Sequence, residues 1–104
     1  MAWILLTLAG LLEVVWAFYM KQSNGFTKVV PSVVTIITMI ASFALLSVSM
    51  KTLPLGTAYT IWTGIGAVGA FLVGIILLGE SANPMRIVAA ISIVGGLIMM
   101  KLSS

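Results

Sequence analysis

The sequence contains no cysteine and no histidine, and among its 104 residues there are two acids and five bases. Without cysteine there is neither a disulfide nor a thiolate metal site. Without histidine, proton chemistry near neutral pH falls to a carboxylate in an unusual environment. Five bases make no patch that could grip nucleic acid. Glu80 is the only acid besides Glu13, so no nucleophile–base pair can be assembled. An enzyme is therefore not expected, nor a cofactor or a metal. What is abundant is apolar: 62% of residues are hydrophobic and 7% charged, against roughly 25% charged in an ordinary soluble domain. The composition is that of a membrane protein.

The polar residues divide the chain into four apolar blocks, Ala2–Met20, Val29–Met50, Leu53–Leu78 and Pro84–Met100, of 19, 22, 26 and 17 residues. A helix needs about 17–25 residues to span a bilayer. The expected fold is all-α: four transmembrane helices over about 2–20, 29–50, 54–78 and 84–100, in one domain spanning 1–104. Pro31, Pro54 and Pro84 fall at block starts, where a missing amide proton costs little. "KQSNGFTK", Lys51-Thr52 and "GESAN" remain as short connections between antiparallel neighbours. A signal peptide fits the first block poorly, since it lacks a basic start and Glu13 interrupts it.

Four spans place Lys51 and Lys101 on one side of the membrane and Lys21, Lys28 and Arg86 on the other. Two bases against three leave almost no positive-inside bias. The chain is thus expected to insert both ways round and to pair as an antiparallel homodimer.

Glu13 lies near the middle of the first span, on a helix face with Leu6, Ala9, Gly10, Trp16, Ala17 and Met20; Ile4, Leu8, Leu11, Val15 and Phe18 lie opposite. In the second span Thr35, Thr38, Ser42 and Ser49 form a hydroxyl stripe. Most of these would bond their own helix four residues back, while Ser42, mid-span, is best placed to reach the acid. In the third, Tyr59, Trp62, Thr63, Gly66 and Ala70 share a face, with an interfacial aromatic belt the simpler reading for Tyr59. "GIGAVG" matches a dinucleotide-binding glycine pattern, but it lies inside an apolar span with no strand before it. Its glycines suit close helix packing and an easy bend. In the fourth span Ala89, Ser92 and Gly96 form a small-residue face, expected at a dimer contact or in packing within the chain.

An ionised carboxylate in hydrocarbon is costly, and either a proton or a cation relieves that cost. Competition between them at one carboxylate is enough to couple their fluxes, because linkage is reciprocal. Indole faces attract cations, and a planar cation such as guanidinium can donate paired hydrogen bonds to the acid while stacking on a ring. Two Glu13 side chains at a shared dimer site would exchange two protons for one monovalent cation.

The spacing of "LEVVWA", which carries Glu13 and Trp16, then Ser42, then "GTAYTIWTGIGAVGA" and "GESANPMR", resembles the small multidrug resistance family along essentially the whole chain. "KQSNGFTK", "WTGIG" and "GESANP" look most like its guanidinium-exporter subtype. The resemblance implies a multi-pass antiparallel homodimer of the bacterial inner membrane that exchanges protons for guanidinium-type cations by alternating access. It implies Glu13 as the carboxylate shared by proton and substrate, Trp16 and Ser42 as its hydrogen-bond partners, and Tyr59 and Trp62 as the aromatic lining. It also implies Gly64 and Gly66 as the flexible point of the third helix. The sister subtype, which exports hydrophobic quaternary ammonium cations from nearly the same site, is the alternative. Two readings of another class stay open: a proton-carrying rotor subunit, and a non-transporting partner in which Glu13 is structural.

Overall fold

The computed structural model describes residues 1–103. They form four helices, α1 (Ala2–Gln22), α2 (Val29–Ser49), α3 (Leu55–Leu78) and α4 (Pro84–Leu102). Each is long and apolar enough to cross a membrane.

Local chemistry accounts for the helix ends. α1 continues through Lys21 and Gln22 and stops at Ser23, whose hydroxyl donates to the Met20 carbonyl at 2.7 Å and accepts from the Phe26 amide at 3.0 Å. Asn24, Gly25 and Phe26 then take positive φ angles of 50°, 74° and 65° in turn, which reverses the chain within a few residues. Pro54 is the N-cap of α3. That helix ends on Gly79 at φ 67°, with the Glu80 amide reaching back to the Gly74 carbonyl at 3.0 Å. This is the left-handed termination that glycine permits without steric cost. Asn83 caps α4 by accepting the Arg86 amide at 3.0 Å, and Pro84 follows at a position that has no helical amide bond to lose.

α1 is the central helix, packed along both α2 and α3. Between helices in lipid there is little hydrophobic drive, so close approach through small residues must supply the attraction. Gly10 of α1 seats Ile65 of α3, and Gly69 of α3 seats Val14 of α1: a Cβ at either glycine would overlap that partner. Leu6, Ala9, Leu46, Ala58, Ile61 and Trp62 form the buried core. Ile4, Leu8, Leu11 and Val15 face outward, as the α1 pattern predicts, while Phe18, expected with them, is partly buried and packs against Tyr19.

α4 is placed differently. Its backbone approaches α3 alone, and none of its residues is buried. The whole is a slab of 40 × 34 × 16 Å. Its short dimension is little more than one helix diameter of about 10–12 Å.

Candidate functional site

The bases lie at helix ends or in the connections and Glu80 lies between α3 and α4, so among the described residues Glu13 is the one formal charge at mid-span. Its side chain lies on Gly66 of α3, where a Cβ would overlap its carboxyl group. The Oε1 atom is buried and has no hydrogen-bond partner, and the same holds for Trp16 Nε1, one turn further along the same face. Among the described residues these two groups, one acceptor and one donor, are the buried side-chain polar atoms without a hydrogen-bond partner.

Ser42 is fully buried, and its hydroxyl donates to the Ala9 carbonyl of α1 at 2.7 Å while accepting from Trp62 Nε1 at 3.0 Å. It therefore ties α1, α2 and α3 together one turn before Glu13, and in this arrangement its partners are Ala9 and Trp62, not the acid. The other hydroxyls of the α2 stripe each bond their own helix, and Ser49 also reaches the Ala2 carbonyl of α1 at 3.3 Å. Thr35 donates to Pro31, Thr38 to Val34 and Ser49 to Leu45, each four residues back.

Four rings from three helices follow one another across the site. Trp16 and Phe43 stand 6.3 Å apart at 70°, Phe43 and Trp62 5.7 Å at 58°, and Trp62 and Tyr59 5.5 Å at 54°. Trp62 is buried at 6% exposure, whereas Phe43 and Tyr59 are about half exposed, at 46% and 53%. One edge of the series is thus packed and the other open. Phe43 is the member that sequence reasoning passes over. A phenylalanine in an apolar block reads as lipid-facing, and only its place next to Ser42 hints otherwise.

Gly64 and Gly66 both serve close packing. Gly64 accommodates Leu97 of α4 as Gly66 accommodates Glu13, and α3 runs unbroken past both. Thr63, expected beside Trp62 and Gly66, is exposed and lines a groove between α3 and α4. Among the described residues no group of His, Cys, Asp or Glu is arranged to hold a metal.

A family model described as Small Multidrug Resistance protein matches residues 1–103. The chain belongs to the small multidrug resistance family. Among curated relatives, the "Guanidinium exporter" of Escherichia coli (strain K12) is 60% identical over 104 residues, covering 100% of this chain and 99% of the relative. Those of Citrobacter freundii and Salmonella typhimurium are 59% identical with the same coverage. Together with four spanning helices, membership of this family makes the chain a multi-pass membrane protein.

In this small multidrug resistance chain, Ser42→Ala would remove the bond across to α1 and leave the Trp62 indole N–H buried without an acceptor. The expected cost is about 1 kcal/mol, the scale of interhelical hydrogen bonds in membranes. It would appear as a lower unfolding midpoint in detergent and a shift of tryptophan emission. Thr38→Ala, which removes only a local bond, should leave both readouts near those of the parent.

Proposed function

We propose that the protein exports guanidinium and related guanidinyl cations across the bacterial inner membrane in exchange for protons, with both ligands competing for Glu13. One observation carries this reading: a buried, unpartnered carboxylate oxygen stands at mid-membrane in a chain 60% identical, end to end, to guanidinium exporters. A planar cation that donates two parallel hydrogen bonds suits such an oxygen, and its flat face suits the aromatic series from Trp16 to Tyr59. A proton arriving from the opposite side neutralises the carboxylate and releases the cation, and the reverse exchange resets the site.

The working unit of this proposal is an antiparallel homodimer. A slab 16 Å thick with half-exposed Phe43 and Tyr59 offers one wall of a binding chamber. A second copy would supply the other wall and a second Glu13. Ala89, Ser92 and Gly96 are exposed, and a Cβ at Gly95 or Gly96 meets nothing within 4 Å, so the small-residue face of α4 is free for a second helix. Bending of α3 at Gly64 and Gly66 would let the chamber open to each side in turn.

The test is uptake of guanidinium by proteoliposomes under an imposed pH gradient. Uptake that collapses when the gradient is dissipated is the expected result. Gradient-driven uptake of a quaternary ammonium with none of guanidinium would assign the chain to the multidrug branch, and no uptake of either would overturn transport.

A further inference from the structure

Because the backbone of α4 approaches α3 alone, a space remains between α4 and α1. This groove of about 510 Å³ is walled by Ile61 and Ile65 of α3 and by Leu97, Ile98 and Leu102 of α4. Trp3, at the start of α1, and Lys101, in the last turn of α4, stand at its mouth, with the Lys101 ammonium 4.5 Å from the centre of the Trp3 ring. Glu13, Trp16, Ser42 and Trp62 take no part in it.

We propose that this groove is a binding site for an anionic phospholipid, with an acyl chain between α1 and α4 and the phosphate at Lys101. Both ends of the groove match that ligand. Its walls are apolar, and the one hydroxyl among them, that of Thr7, is already donated to the Trp3 carbonyl at 2.8 Å. A water-soluble ligand would find along the walls no polar partner but the acceptor side of that one hydroxyl. The polar handle is the ammonium at the mouth, where the first turn of α1 and the last turn of α4 reach the same membrane surface. Lysine and tryptophan are the residue types that settle at that depth. One face of the ammonium is held by the indole, and its remaining donors are directed to the phosphate level. A zwitterionic headgroup presents its own cation to Lys101, whereas phosphatidylglycerol does not. The preference is therefore for net negative charge.

Trp3 is a built-in reporter of occupancy. The full-length protein is reconstituted in phosphatidylcholine vesicles containing acyl-brominated phosphatidylglycerol or acyl-brominated phosphatidylcholine. Tryptophan quenching is measured, with Trp3→Phe protein subtracted to remove Trp16 and Trp62. The Trp3 component should be quenched by the anionic lipid at about one fifth of the mole fraction needed for the zwitterionic one, the ratio expected for one lysine near an anionic headgroup. Lys101→Gln should erase the difference, while Lys51→Gln, on the same membrane side but outside the groove, should preserve it. Equal quenching by both lipids, or a preference that survives Lys101→Gln, overturns the proposal. Trp3 emission quenched by neither lipid would mean that protein covers the groove, which overturns it as well.

Discussion

Glu13→Gln is expected to abolish gradient-driven guanidinium uptake while leaving the protein folded. Glutamine preserves the volume that rests on Gly66 and a polar atom at the position of Oε1, so the packing of α1 on α3 is retained. It removes the negative charge and the exchangeable proton together. Leaving a desolvated cation without its anionic partner costs about 3–5 kcal/mol, and each 1.4 kcal/mol is tenfold. The uptake rate should therefore fall by at least about 100-fold. Mixing parent and variant copies before reconstitution extends the test. If two Glu13 side chains serve one site, an equal mixture should retain about one quarter of parent activity, as random pairing in a symmetric dimer requires. If each copy works alone, about one half should remain. A variant that transports normally would make Glu13 structural.

The second large effect is expected from Gly66→Ala. Its added methyl group would occupy space now held by the Glu13 carboxyl. The acid cannot stay where it is, because the methyl is fixed on the α3 backbone. Overpacking of this kind costs about 1–3 kcal/mol in stability, and a displacement of about 1 Å at a reacting group can cost about 100-fold. Guanidinium uptake should fall about 10- to 100-fold while the unfolding midpoint drops only modestly. Gly56→Ala, near the start of the same helix, meets nothing within 4 Å and should behave as the parent. Equal activity of all three proteins would show that the carboxyl does not work from its seat on Gly66.

The contrast between these glycines marks where sequence reasoning stops. Helix ends are legible because their causes are local: Pro54 and Pro84, the Asn83 cap and Gly79 act within a few residues of themselves. The inward face of α1 is legible too, since Glu13 interrupts a regular apolar pattern and Ala9 and Gly10 lie on the same side. Gly66 is legible only as a place for close packing. That its partner is the Glu13 carboxyl depends on the register between α1 and α3, which no local pattern encodes. Ser42 stands out as the mid-span hydroxyl, but its bonds to Ala9 and Trp62 again depend on register. Phe43 is hidden for another reason. In a bilayer an outward aromatic and a site-lining aromatic are equally compatible with an apolar helix, and only the rings on either side of it tell them apart.

The backbone of α4 approaches α3 alone, with Lys101 over Trp3 its link to α1, and this bears on the order of assembly during synthesis. The ribosome releases α1, α2 and α3 first, and these helices already hold the principal contacts among themselves, including the Ser42 tie and the Gly66 seat. When α4 emerges, it packs along the helix made just before it and reaches α1 through Lys101 over Trp3. Its late arrival adds an outer strut with no buried residue to the α1–α2–α3 unit.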